Sequence, residues 1–199
     1  MGLGFYRSAG AAVETAGAVA GWIFNKCYRE ALFRSRCQAV GRNLSLSWLP
    51  DITGHPEIYV GDDVCFEGHF GVMSGRILDH PELRIGNRVA IGHNVTVIAN
   101  REVVFEDDVR IGAGCRFMDS DAHPRDPAAR RGKLPPPPEE IRSIRIRRGA
   151  RIGGNTFVMK GVTVGEGATV GVNSVVLSDV PAFAQVSGNP ARAVVTPPL

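Results

Sequence analysis

Residues 146–180 read IRRGARIGGNTFVMKGVTVGEGATVGVNSVVLSDV. Every sixth residue from the start is a β-branched aliphatic: Ile146, Ile152, Val158, Val164, Val170 and Val176. Two residues ahead of each stands a small or β-branched side chain, namely Ile144, Ala150, Thr156, Val162, Ala168 and Ser174. Gly153, Gly165 and Gly171 each follow an aliphatic directly. A period of six is neither the 3.6 of a helix nor the 2 of a strand with one wet face. It is the signature of a parallel β-helix, in which short strands turn a corner every six residues and three corners complete a coil. The large aliphatic fills the axis, its small partner clears the next coil, and glycine or a polar residue takes the turn.

The same phase recurs upstream. Val60, Phe66 and Val72 form one run, with Val64 and Phe70 in the accompanying positions. Ile85, Ile91 and Val97 form a second, flanked by Val89 and Val95. The two runs are copies, since His55-Pro-Glu-Ile-Tyr-Val-Gly-Asp matches His80-Pro-Glu-Leu-Arg-Ile-Gly-Asn. Their offset exceeds one coil, so residues near Ser74 to His80 should bulge out as a loop. The phase then slips by two residues and resumes at Phe105, Ile111 and Phe117. Between Phe117 and Ile146 the repeat stops. The insert carries Asp119-Ser-Asp-Ala-His-Pro-Arg-Asp-Pro and the proline run Pro135 to Pro138, which cannot enter the axis and should project as a stiffened arm.

The expectation is therefore a mainly β chain: a parallel β-helix over residues 44–195, with a loop inserted at 119–143. Residues 1–43 are alanine-rich and then basic, and read as helix from Ala11 to about Val40. Trp22, Ile23, Phe24, Tyr28, Leu32 and Phe33 would give it an apolar surface. One reading is a helical cap on the end of the rod. The other is an interfacial helix giving peripheral contact with an anionic membrane through residues 1–43. Glu14 and several glycines interrupt the apolar stretch, so a spanning helix is not expected. Neither a signal peptide nor a myristoylation site is expected here.

The 199 residues carry a formal charge of +3, with 23 basic and 20 acidic side chains. The basic ones crowd between Arg125 and Arg151, which invites an anionic ligand. That segment holds no aromatic residue for stacking and no nucleic-acid-binding motif, so nucleic acid is excluded as a partner. Cys27, Cys37, Cys65 and Cys115 are widely spaced, which argues against a zinc site or a disulfide framework and for a reducing cytoplasm.

Five histidines offer themselves for chemistry. His55 and His80 begin copied segments, where a turn or packing role is expected. His69 and His93 fall at corners. His123 differs, because its His-Pro runs into the basic arm instead of a new coil. Asp119 and Asp121 are near in sequence and could hold its imidazole in one tautomer. An imidazole titrates near pH 6.5 and suits proton abstraction at neutral pH, worth about 10²–10⁴ in rate. The residues alone leave a catalytic base and a solvated loop histidine both open.

Three stretches carry a resemblance to a known family: Asp121-Ala-His-Pro-Arg-Asp126 with Arg130; Ile152-Gly153 with Gly161-Val-Thr-Val-Gly165; and Asp179-Val-Pro181 with Gly188-Asn-Pro-Ala-Arg192. Together they resemble the hexapeptide-repeat acyltransferases, in particular the maltose, galactoside and polysaccharide O-acetyltransferases. The resemblance implies a left-handed β-helix, a homotrimer with active sites in the grooves between subunits, acetyl-CoA as co-substrate and a sugar or saccharide acceptor. It makes His123 the general base in a ternary complex and Arg130 and Asn100 acceptor contacts. Gly154 and Val172 would lie beside the pantetheine arm, and Arg192 near a phosphate of the cofactor. The chain departs from the pattern where Arg151 replaces a tryptophan, Leu177-Ser178 a Thr-Lys, and Lys160 a proline; Arg151 could supply the phosphate contact that the lost lysine would make. N-acetylation of an amino sugar, a zinc-dependent hydratase using His69, His93 and His123, and a non-catalytic assembly module are the other functions weighed.

Overall fold

The computed structural model describes residues 21, 25–75 and 77–194. Within them the chain winds as a parallel β-helix with three faces: a six-stranded face A, an eight-stranded face B and a six-stranded face C. Each coil lays one strand on each face in turn, and every pairing between coils is parallel and in register, for example Phe105 on Ile85 and Ile146 on Phe105. The rod is left-handed, as the resemblance implies, and closes with an antiparallel pair at Val186–Ala193 and Ser187–Arg192.

The hexapeptide rule explains the packing. Both aliphatics of each strand turn inward: Leu83 and Ile85 on face A, Val89 and Ile91 on face B, Val95 and Val97 on face C are buried. Aromatic pairs widen the axis where two phenylalanines meet, Phe66 with Phe70 and Phe105 with Phe117, each at 4.8 Å between centroids. At the corners between faces A and B, and at most of those between faces B and C, the third residue after the axis aliphatic takes the left-handed backbone conformation. Asn43, Asp63, Asp108 and Gly149 do so between faces A and B, as does the longer Arg88; Asn94, Gly114, Asn155 and Asn173 do so between faces B and C. Short polar side chains and glycine tolerate that conformation best, which is why the turns read as they do. Between faces A and B the corner side chains also form a ladder. Asp62 accepts from the Arg42 N–H, Asn87 from that of Asp62, and Asp107 from that of Asn87.

The N-terminal boundary is a correction. The helix expected as far as Val40 ends at Arg34, and Ala39–Val40 is already a strand, paired with Tyr59–Val60. A whole coil (Ala39–Val40, Ser45–Leu46, Asp51–Thr53) thus precedes the first run read from sequence, and the rod begins before residue 44. Val40, Leu46 and Ile52 hold the six-residue phase; two extra residues at the next corner break it from Val60, and the basic side chains around it imitate a helix face. The short helix Glu30–Arg34 buries Phe33 completely, edge-on to Phe66 at 5.8 Å. Ahead of that helix Asn25–Arg29 is a π-helical turn, whereas residues 1–20 and Trp22, Ile23 and Phe24 of the expected segment lie outside the described residues. Among the described residues no helix is long and apolar enough to cross a membrane. All four cysteines are free thiols.

Every interruption of the repeat falls at one edge, the corner between faces C and A. The loop after Met73, the two-residue slip at Asn100–Arg101 and the insert 119–143 are stacked there on successive coils.

Candidate active site

Stacking brings the two long interruptions into contact, and the slip between them is the rivet. Asn100 is 3% exposed. Its side-chain carbonyl accepts from the Gly75 N–H at 2.6 Å, and its amide donates to Ser120 Oγ at 2.7 Å. Asp119, fully buried, accepts from the backbone N–H of Asn100 at 2.7 Å and of Arg101 at 2.6 Å. Burial pushes the Asp119 carboxyl up, opposed by those same N–H groups. Arg101 in turn donates to the carbonyls of Ile141 and Pro138, and the Arg142 N–H reaches the Asp119 carbonyl at 2.9 Å. The insert therefore leaves and rejoins the rod through a closed hydrogen-bonded base.

Beyond that base the insert curls into a wall. Asp126 caps a one-turn helix, Pro127–Arg131, by accepting from the N–H groups of Ala128 and Ala129. Between this wall and the loop after Met73 opens a cavity of about 680 Å³, lined by Gly75 and Ile77 on one side and His123, Arg130, Lys133 and Leu134 on the other. Ala122, with φ 61°, turns the chain just before the imidazole. His123 is exposed, and no hydrogen-bond or ion-pair partner engages it among the described residues, so both ring nitrogens are open to a ligand.

The expected site residues sort as follows. His123 and Arg130 meet in this cavity. Asp119 and Asp121 do not hold the imidazole. Asp119 is spent on the turn at Asn100, and Asp121 lies 2.6 Å from Lys160 and 3.8 Å from Arg125. Asn100, expected as an acceptor contact, has its amide engaged in linking Gly75 to Ser120 and does not line the cavity. Gly154 and the exposed Val172 stack at the corner between faces B and C, where a β-carbon on Gly153 would strike the Val172 nitrogen. Arg151 is exposed on face B, in register with Arg110 and Thr169. Arg192 is exposed on the closing strand. One chain thus keeps the expected cofactor residues and the His123 cavity at different edges of the rod.

Three of the remaining histidines are occupied. His80 Nδ1 is 2.7 Å from Glu57, His55 Nε2 is 3.3 Å from the Leu78 carbonyl, and His69 stacks on Trp48 at 4.7 Å. His69 and His93 share the corner between faces B and C, away from His123, and no cluster of three metal-ligating side chains occurs among the described residues. Sequence reasoning gave no site role to Gly75, Ile77, Lys133 or Lys160, although Lys160 stood out as a departure from the family pattern. The first two come from a loop visible only as excess length, although the basic charge that includes Lys133 was legible.

No family model matches the chain. It is 30% identical over 123 residues to the serine acetyltransferase of Salmonella typhimurium, a match covering 59% of this chain and 38% of that protein. The chain thus spans about two fifths of the length of the curated relatives it matches. Among solved structures it resembles the hexapeptide-repeat containing acetyltransferase VCA0836 of Vibrio cholerae complexed with acetyl-CoA, with TM-score 0.58 and 24% identity over 86% of this chain and 77% of that one. It also resembles a variant of AntD, an N-acyltransferase from Bacillus cereus in complex with dTDP-4-amino-4,6-dideoxyglucose and coenzyme A, with TM-score 0.67 and 18% identity over 83% and 87%. A galactoside acetyltransferase in complex with coenzyme A gives TM-score 0.60 and 19% identity over 91% and 78%. These likenesses carry the fold: the rod of this chain is the left-handed β-helix of hexapeptide-repeat proteins.

Proposed function

We propose that the chain is an acetyl-CoA-dependent acetyltransferase whose acceptor is a hydroxyl of a sugar or saccharide, with His123 as general base. The observation that carries the reading is an imidazole with no protein partner among the described residues, sharing with Arg130 one wall of a cavity large enough for a sugar. In the reaction, His123 removes the proton of the acceptor hydroxyl as its oxygen attacks the thioester carbonyl carbon. The carbon–sulfur bond then breaks, the imidazolium returns its proton to the departing thiolate, and the products are an acetyl ester and free coenzyme A. Backbone N–H groups at a tight corner are the natural donors to the tetrahedral oxyanion.

The separation of residues supports a homotrimer. The corner bearing Gly154 and Val172 is remote from His123 in its own chain, so a neighbouring copy must supply it to complete a groove. In that arrangement Gly154 and Val172 flank the pantetheine arm, and Arg151 and Arg192 meet phosphates. Arg151 and Arg110 are like charges side by side on face B, a costly pairing that an anion would relieve. N-acetylation of an amino sugar is the second reading, favoured by the likeness to AntD.

The test is thiol release from acetyl-CoA in the presence of neutral, acidic and amino sugars. Lability of the product to hydroxylamine separates ester from amide. His123→Ala should lower turnover by about 10²–10⁴. An unchanged rate in that variant rejects the role.

A further inference from the structure

The cavity beside His123 has a charge that the proposed reaction does not require. Two cations, Arg130 and Lys133, line it, and no carboxylate does among the described lining residues. Neither cation has a hydrogen-bond or ion-pair partner among the described residues. Of the acids close to them in sequence, Glu139 is exposed and does not line the cavity, and the others are committed elsewhere. Asp121 pairs with Lys160 and Arg125, Asp126 caps the helix that ends at Arg131, Glu140 faces Arg125 at 3.8 Å, and Asp119 is buried beneath Asn100. Lys133 is held in the left-handed conformation, φ 54°, with its N–H bonded to the Arg130 carbonyl at 3.0 Å. A lysine carries a steric cost there that glycine would not, and the turn sets it beside the end of the helix that carries Arg130.

From these observations we infer that the acceptor is anionic: a saccharide bearing a carboxylate or a phosphate, gripped by Arg130 and Lys133 while His123 faces its hydroxyl. The guanidinium offers a planar fork for a carboxylate or phosphate, and the ammonium adds a mobile second donor. Ile77, Leu134 and the prolines of the wall supply apolar area for the ring's less polar face and lower the local dielectric around the ion pair. The inference rests on the proposed function for the identity of the site as an acceptor pocket, but the charge preference is measurable without turnover.

The experiment uses the full chain and three sugars of one stereochemistry: galactose, galacturonate and galactose 1-phosphate. Binding of each is measured by calorimetry with and without coenzyme A, in the parent and in the double variant R130Q/K133Q. Both substitutions lie on the exposed wall, so the rod is not disturbed. At least one acidic sugar should bind roughly tenfold or more tightly than galactose, with an advantage that shrinks in salt and disappears in the double variant. Whether the carboxylate or the phosphate wins identifies the anion. Equal affinity for all three sugars, no binding of either acidic one, or a preference that survives the double variant overturns the inference. So does a double variant that loses coenzyme A instead of sugar. Binding of an acidic sugar with no thiol release from acetyl-CoA would leave the anion site standing and remove the proposed function.

Discussion

Lys160 Nζ lies 2.6 Å from Asp121 Oδ2, and the lysine side chain is 7% exposed. Asp121 is two residues from His123, and Lys160 occupies the same edge one coil further on, so this pair ties the start of the insert to the rod. The position is one where the resembled family carries proline. The departure is therefore structural, and it bears on how firmly the imidazole is held.

The two halves of that pair should not be equivalent. Asp121→Asn leaves an ammonium buried without its counter-charge and should cost about 1–3 kcal/mol, discounted from a fully buried pair because Asp121 is partly wet. Lys160→Met leaves a carboxylate that still reaches water and Arg125, and should cost less. Both should lower kcat/KM if the insert positions His123. Urea denaturation of the two singles and the double variant measures the asymmetry, and equal losses would contradict it.

Asn100→Ala should disturb the cavity although Asn100 does not touch it. The variant leaves the Gly75 N–H and Ser120 hydroxyl without their partner in a buried setting, at a cost of roughly 2–3 kcal/mol. If the loop after Met73 shapes the acceptor side, KM for the acceptor rises while coenzyme A affinity holds. A variant with parental stability and altered coenzyme A binding would instead place Asn100 at the cofactor.

The fold was legible because an axis tolerates little variation: one aliphatic per corner repeats without help from distant sequence. The first coil was missed because Val40 and Ile52 have Gln38 and Pro50 two residues ahead, where the upstream runs that were read carry a second apolar residue. The role of His123 could be suspected from its His-Pro context, but not those of its neighbours. Sequence proximity brought Asp119 and Asp121 to the imidazole, whereas the fold sends one carboxylate to Asn100 and the other to Lys160. Gly75 and Ile77 carry no motif, and only coil stacking places them opposite His123. Asn100 was visible as the point of slip, and its contacts invert its expected role from ligand to rivet.

His80 gives the loop after Met73 a pH dependence. Its imidazole meets Glu57 at 2.7 Å, and the carboxylate's hydrogen bond and charge hold the His80 pKa above its usual value while Glu57 is lowered. A raised histidine pKa means that the contribution is complete below the unfolded value of about 6.5 and is lost as pH rises through the folded value. On the acid side it is lost as pH falls through the lowered Glu57 value. The gap in Tm between the parent and His80→Ala should therefore be widest near pH 6 and close in mild alkali. A gap that grows with pH would reverse the assignment.

Phe183 breaks the rule obeyed at most corners between faces A and B. It adopts φ 60° where Asn43, Asp63, Arg88, Asp108, Gly149 and Gly167 stand in other coils, and the residue is 74% exposed. A bulky side chain in that conformation is strained by about 1 kcal/mol, and an exposed ring recovers little through burial. The ring lies over Gly167, near enough that a β-carbon there would approach to 2.6 Å. Phe183→Asn should therefore stabilise the chain by about 0.5–1 kcal/mol, seen as a higher urea midpoint at unchanged m. Gly167→Ala should act in the opposite sense, since it adds both strain and collision. If Phe183→Asn lowers the midpoint, the ring's cover over Gly167 outweighs the backbone strain at that corner.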